Sequence, residues 1–380
     1  MKKSIGDICE ILNGYSFKSE KYTNEGVRVI RIANVQNGYI EDATPQFYPN
    51  SEIDSFKDFL LQKNDLLISL TGNVGRVALL DEKFLPAALN QRVACLRPKS
   101  TAVSTKFLFY ALSSERFIQD CEDSARGVAQ KNMSTEWLKK YFINLPDAGT
   151  QLYWIKTLDV VTELIKKRKL QLRYLDQLAS SRFIEMFGDS TYQERNISEV
   201  CKIVTDGTHQ SPKFTDSGIP FLFVSNIVDN AITYETSKFI SVQTYNELTK
   251  RTPIEIGDIL LTIVGSYGNP AVVKSDKPFC FQRHLAYMKL KTDIIHPEYL
   301  HAAFLSANVK EQIERKVKGI AQKTLNLSEL KSIHLPLPPL ELQNEFAAFV
   351  EQLDKSKVTI RKSIEKLETT YRALLQEYFG

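Results

Sequence analysis

Gly127-Val128-Ala129-Gln130-Lys131 returns 192 residues later as Gly319-Ile320-Ala321-Gln322-Lys323, and this return decides how the whole chain is read. A fixed internal period marks a repeated structural unit, so it is sought before any local pattern. Working outward, Gly26 and Asn34 recur as Gly218 and Asn226, and Asp65-Leu66-Leu67 recurs as Asp258-Ile259-Leu260. Gln91-Arg92 recurs as Gln282-Arg283, Leu145-Pro146 as Leu337-Pro338, Gln151 as Gln343, and Phe187-Gly188 as Phe379-Gly380. Matches in one order, all within a residue of one offset, make the chain two tandem copies, 1–188 and 189–380.

Each copy has two parts. The first alternates short β-rich runs with turn signals: Val27–Ile32 and Asp65–Leu70 before Thr71-Gly72-Asn73, answered by Pro220–Val224 and Asp258–Ile263 before Val264-Gly265-Ser266. Helical patterns follow around Lys106–Asp120 and His296–Val317. This predicts an α+β globular domain. The last stretch of each copy is almost free of glycine and proline. Leu158, Val161, Ile165, Leu172, Leu175, Ala179 and Met186 keep a three-four spacing interrupted by Arg168 and Arg182. Phe346, Phe349, Leu353, Ile360, Ile364, Leu367, Tyr371, Leu374 and Tyr378 keep the same spacing. That period is a coiled-coil seam, and prolines stop just before each helix, where a helix start permits them. The expected spans are globular domains over 1–147 and 189–338, each followed by a helix, 148–188 and 339–380. Two helices of equal length, roughly 50 Å each, most simply bury their seams against each other. Running antiparallel, they would put the domains at opposite ends of a dumbbell with a pseudo-two-fold axis.

Composition narrows the class without naming a partner. Of 380 residues 43% are hydrophobic and 25% charged, ordinary globular values. No apolar run approaches the ~18 residues of a membrane span, and no apolar stretch follows Lys2-Lys3. A soluble cytoplasmic protein is expected. Five scattered cysteines with no C-x-x-C pair suit reduced, buried thiols. The net charge of +4 is uninformative: residues 1–150 carry 19 basic and 18 acidic groups, and residues 189–340 carry 17 and 16. A nucleic-acid partner would require basic groups clustered in space.

Catalytic signatures are missing from the sequence: no G-x-x-x-x-G-K-[ST], G-x-G-x-x-G, H-E-x-x-H or G-x-S-x-G occurs. Pro146-Asp147 has no D/E-x-K partner in the following helix, Pro338-Pro339 lacks the Asn/Asp-Pro-Pro-aromatic context of an adenine methyltransferase, and no two of the five histidines are four apart. Other residues suit DNA. The turns Thr71–Gly75 and Val264–Gly268 present backbone N–H groups to phosphate, or are plain tight turns. In the Gly-x-Ala-Gln-Lys stretches, Gln130 and Gln322 can read a base edge, and Lys131 and Lys323 can hold phosphate. Arg76, Gln91, Arg92, Gln282, Arg283, Thr208, His209 and Lys213 complete the candidates. Gln-Arg pairs shared by both copies also suit a structural role, because common residues alone do not distinguish two targets.

At this point the chain resembles the specificity subunit of type I restriction–modification systems. The resemblance rests on the repeat, on Leu335-Pro336-Leu337-Pro338-Pro339-Leu340-Glu341-Leu342-Gln343, on Gly319–Lys323, and on Asp206-Gly207-Thr208-His209 with Ser211-Pro212. The first copy departs at Leu145-Pro146-Asp147-Ala148-Gly149-Thr150-Gln151, which keeps Pro and Gln but loses Pro-Pro-Leu. The resemblance implies a non-catalytic reader of double-stranded DNA, each domain taking half of a bipartite sequence. The helices would act as a spacer and dock two modification subunits. Those partners would bring S-adenosylmethionine, and restriction subunits would bring ATP and Mg. No cofactor or metal would be held by this chain. A spacer of that length covers about 15 base pairs. Two rival readings stand beside it: a self-contained enzyme, and a coiled-coil adaptor whose globular ends bind protein.

Overall fold

A computed structural model describes residues 1–125, 132–188, 192–319 and 323–380, with Arg251 described by its backbone alone. The chain divides into two compact units, Met1–Lys169 with Arg361–Gly380, and Leu170–Ile360. Each holds one α+β domain and parts of two 40-residue helices, Ala148–Phe187 and Leu340–Phe379.

In the first unit, Lys2–Ser4 pairs antiparallel with Phe142–Asn144, joining the two ends of the domain. The main sheet has the order Cys9–Asn13, Val93–Pro98, Leu66–Ser69, Val77–Leu79, and a second sheet sets Val27–Ile30 between Phe47–Tyr48 and Ala87–Leu89. The apolar run at the middle of the main sheet is buried on both faces: Leu66, Leu67 and Ile68 have no exposed surface. Gly26 stands at φ +128, where a Cβ would meet the Tyr48 carbonyl oxygen at 2.3 Å.

The second unit repeats this plan. Glu194–Asn196 pairs with His334–Pro336. The main sheet runs Cys201–Asp206, Leu285–Leu290, Ile259–Thr262, Pro270–Val272, and the smaller sheet sets Ile219–Leu222 between Phe239–Ile240 and Cys280–Phe281. Gly218 repeats the close approach, its Cβ position 2.6 Å from the Ile240 carbonyl oxygen at φ +133. One hairpin, Ile227–Val228 with Ala231–Ile232, is a full ladder here; its counterpart in the first unit is the single bridge Val35–Ile40.

The helical patterns around Lys106–Asp120 and His296–Val317 are each two helices: Thr105–Ala111 and Glu115–Ser124, then Pro297–Leu305 and Ala307–Lys316. Serines make the breaks. The Ser114 hydroxyl accepts from Phe117 N, and the Ser306 hydroxyl from Val309 N, each starting a new helix.

Within each unit the long-helix segments run antiparallel. In the first, Trp154 stacks on Tyr378 (4.8 Å between centroids, 2° between planes), Leu158 and Leu375 are buried together, and Lys169 pairs with Glu368 at 2.9 Å. In the second, Phe183 meets Phe346 at 5.5 Å and Lys357 meets Asp176 at 2.8 Å. A rising number on one helix thus meets a falling number on the other. Seam positions read from the sequence are buried or half-buried throughout.

The helix starts explain two matches of the repeat. Gln343 is fully buried; its carbonyl accepts from His296 N (2.8 Å) while its amide donates to Ile294 O and Pro338 O (3.0 and 2.8 Å). Gln151 does the same with Ser104 N, Ala102 O and Pro146 O (3.1, 3.0 and 3.1 Å). Each glutamine bolts a long helix to its domain. Where the first copy lacks Pro-Pro, Asp147 caps the helix instead, accepting from Thr150 N at 3.0 Å and from the Thr150 hydroxyl at 2.7 Å.

Candidate nucleic-acid interface

In the first unit, three of the sequence candidates meet at one end of the main sheet. Gln91 and Arg92 are exposed on the turn between Ala87–Leu89 and Val93–Pro98. Their backbone is structural: Gln91 N donates to Tyr15 O (3.0 Å), and Arg92 O accepts from Leu70 N (3.0 Å). Gly14 is needed beside this turn, since a Cβ there would lie 2.1 Å from the Asn90 carbonyl oxygen. From Leu70 the strand enters the glycine turn, where Ser69 holds the loop closed: its hydroxyl bonds Asn73 O (2.5 Å) and Arg76 N (3.0 Å). Thr71 forms an antiparallel bridge with Asn132 beside this turn. Gln130 and Lys131 themselves lie outside the described residues. Arg76 is half-buried and donates to the Gln36 side chain at 2.6 Å, so it braces the site from within.

The second unit assembles the corresponding end. Thr208 pairs with Gln282 in a parallel bridge, and Arg283 N donates to Thr208 O at 3.1 Å. His284 O accepts from Ile263 N (3.0 Å), which leads into the turn Val264–Gly268, and Gly265 N donates to Lys323 O (3.0 Å). Thr208, Gln282, Arg283 and Lys323 are therefore brought together, while Gln322 lies outside the described residues. His209 stays beside Thr208, its ring 3.0 Å from the Asp206 carboxylate. Lys213 lies farther out on the exposed loop between Cys201–Asp206 and Ile219–Leu222. Burial and the adjacent Arg283 both lower the pKa of His284 at the turn.

One residue escaped the reading of the sequence. Tyr267, inside the quoted glycine turn, lies under the Lys323 ammonium (5.7 Å to its ring centre) and donates to Glu314 at 2.8 Å. An aromatic ring inside a glycine turn is the signal that would have found it, since such rings stack on bases.

The same ends carry little other chemistry. Among the described residues no group of three His, Cys, Asp or Glu side chains is placed to hold a metal. All five cysteines are buried, and burial pushes each thiol above its ordinary range, Cys9 to about 12. No described helix is long and apolar enough to cross a membrane.

Comparison with known proteins addresses the whole chain. A family model described as the type I restriction modification DNA specificity domain matches twice, over residues 1–174 and 189–369. The chain is 24% identical over 417 residues to the specificity subunit of the type I restriction enzyme EcoBI of Escherichia coli, covering 100% of this chain and 85% of that one. It is 20% identical over 400 residues to the MjaVIII specificity subunit of Methanocaldococcus jannaschii, covering 98% and 87%. Its fold is similar to the crystal structure of the type I restriction–modification S subunit from M. genitalium, with a TM-score of 0.55 at 18% identity over 100% of this chain and 96% of the other.

Proposed function

This chain belongs to the type I restriction modification DNA specificity family, and from that membership we propose that each globular domain reads one half of a bipartite DNA target. The chain is a specificity subunit whose work is DNA-sequence recognition. The observation that carries the two-half reading is one scaffold built twice with unlike side chains at the same strand ends. Glycine turns and Gln-Arg turns hold the frame in both copies, while Asn73-Val74 in one is Ser266-Tyr267 in the other. A constant frame with variable edges is what reading two different sequences requires, because base edges are distinguished by donor and acceptor pattern. On that shared frame the side chains of Gln282 and Arg283, with Gln91 and Arg92 their counterparts, are contacts common to both half-sites, their unlike neighbours tell the halves apart, and Lys323, with Lys131, holds phosphate.

The long helices set the gap between half-sites and dock two modification subunits. Support comes from an asymmetry of surface. The first long helix leaves Tyr153, Val160 and Leu164 exposed in one unit and Tyr174, Leu178 and Ile184 in the other; among the described residues the second long helix exposes one large hydrophobic residue, Val358. Rows of exposed apolar residues mark interaction surfaces. Methyl transfer from S-adenosylmethionine to adenine belongs to those partners, and ATP with Mg to restriction subunits; this chain contributes the address and no catalytic group.

The test is to express the full chain with its modification subunit and map adenine methylation across a genome. A two-part motif is expected, one half relaxed by Arg92→Ala and the other by Arg283→Ala. A contiguous motif, or both halves relaxed by one substitution, overturns the reading. In the same complex Lys323→Ala should lower the slope of log affinity against log salt by about 1, the signature of one lost phosphate contact.

A further inference from the structure

In the second unit a line of alternating charges crosses from the globular domain through both long helices. Glu298 opens the helix Pro297–Leu305, and its carboxylate lies 2.9 Å from the Lys274 ammonium at the end of the strand Pro270–Val272. Lys274 also bonds Asp354 on the second long helix. Asp354 lies 3.4 Å from Lys357, and Lys357 reaches across to Asp176 on the first long helix at 2.8 Å. We propose that this chain, Glu298, Lys274, Asp354, Lys357 and Asp176, positions the second domain on the helix pair and thereby holds the gap between half-sites to one length. The proposal rests on the bipartite reading above.

Lys357 is the centre of the argument. Val350, Leu353, Lys357, Ile360 and Ile364 follow a strict three-four alternation, so the lysine occupies a seam position, and its side chain is only 13% exposed. A cation in a seam is costly to desolvate, and an apolar residue of its size is often neutral or more stabilising there. What a polar seam residue supplies is a unique arrangement, since displaced alternatives leave it buried without a partner. The first copy makes the contrast. At the corresponding positions it has Ile165 for Lys357, Thr162 for Asp354 and Lys106 for Glu298. There Lys106 reaches Asp159 on the first long helix at 2.7 Å, with the Tyr110 hydroxyl donating to the same carboxylate, and Lys169 reaches Glu368 on the second at 2.9 Å.

Leverage explains why the chain matters for pose. The aromatic clamp of Phe183, Phe187, Tyr299 and Phe346 joins domain to helices at one place. Asp354 is eight residues beyond Phe346, about 12 Å along the helix at 1.5 Å per residue. A clamp alone is a pivot; a second contact that far along the helix resists tilting. Lys274 and Glu298 are therefore positioning residues of the domain, and Lys357 with Asp176 carries the constraint across to the partner helix.

The experiment uses the full chain. Spin labels at Gln177→Cys on the first long helix and Val242→Cys on the second domain report the pose by double electron–electron resonance; the five native cysteines are buried and take no label. Lys357→Met should broaden the distance distribution while leaving the melting temperature equal or higher, and Lys357→Arg should restore the narrow distribution. In complex with the modification subunit, methylation of duplexes whose gap is one base pair too long or too short should rise about fivefold for Lys357→Met, the scale of one partly exposed ion pair, and return to wild-type strictness for Lys357→Arg. A Lys357→Met chain with the narrow distribution overturns the proposal, whatever its stability. Wild-type methylation that ignores the gap overturns the bipartite reading instead, and the label distances then still decide the positioning role.

Discussion

The first and second domains share a backbone and disagree about charge. Asp65 and Asp258 sit at the same point, each accepting from the backbone N–H three residues earlier at 2.8 Å. Asp65 then takes a two-pronged bond from the Arg97 guanidinium (2.8 and 2.7 Å), whereas Asp258 takes the Tyr287 hydroxyl at 2.8 Å and has Lys289 only at 3.7 Å. Facing the long helices, Lys106 in one domain stands where Glu298 stands in the other. The lesson is that backbone-satisfying groups are held in common, while groups that merely need an opposite charge nearby are free to invert. The two kinds of contact make different predictions.

The largest expected effect falls on the shared glutamines. Gln343→Leu would strand Pro338 O in the interior and His296 N and Ile294 O at a partly buried junction, costing about 3 kcal/mol, at 1–3 kcal/mol for each group left unsatisfied, partly relieved by relaxation. Gln151→Leu should cost the same within about 1 kcal/mol. Urea unfolding of both variants checks this, and a large inequality would mean the two junctions are not built alike. Next comes the aspartate pair. Asp65→Asn should cost about 2 kcal/mol, because it leaves the partly buried Arg97 without its counter-charge. Asp258→Asn should cost under about 1 kcal/mol, since an amide oxygen still accepts from Glu255 N and Tyr287. Equal losses would erase the distinction between the domains. At the small end, Lys106→Ala should change stability by less than about 1 kcal/mol, as an exposed pair.

Acid sharpens the same contrast inside the second unit. Burial raises the pKa of Asp258 despite its hydrogen bonds, whereas for Asp354 burial is outweighed by the Lys274 hydrogen bond and the charges of Lys274 and Lys357, and the pKa falls. A lowered carboxylate contributes stability that is complete above its ordinary value of 3.8 and is lost as the pH drops through the depressed value. A raised one does the reverse: its penalty on the fold fades as the pH falls. Denaturant unfolding between pH 6 and pH 3, a range of about three units around these carboxylates, should therefore show Asp354→Asn less acid-sensitive than wild type and Asp258→Asn more so.

Much of this was legible in the residues. The repeat could be read because the positions it preserves are those where the backbone leaves no choice: Gly26 and Gly218 at a carbonyl, Asn34 and Asn226 each capping a tight turn (Asn34 accepting from Arg31 N, Asn226 from Phe223 N, both at 2.9 Å). The long helices announced themselves by period, and their seams are buried. Lys357 escaped because a seam is found by looking for apolar residues, and a paired cation is invisible to that search. The helix breaks at Ser114 and Ser306 escaped because a serine cap in the middle of a helical pattern resembles an ordinary polar position. For the interface, the strand-end candidates came together, but Arg76 turned inward to Gln36, a contact forty residues away that no local spacing encodes.

The short ladders that close each domain carry a further consequence. The chain enters the second domain at Glu194–Asn196 and leaves it at His334–Pro336, strands bonded to each other; Lys2–Ser4 and Phe142–Asn144 do the same for the first. A domain with its entrance and exit side by side has a single doorway. A genetic crossover at that doorway exchanges an entire reading head and disturbs a single ladder of three residue pairs, whereas a crossover within the domain must reconcile two half-cores. Heredity can thus reshuffle addresses wholesale, and new combinations of targets need no new fold.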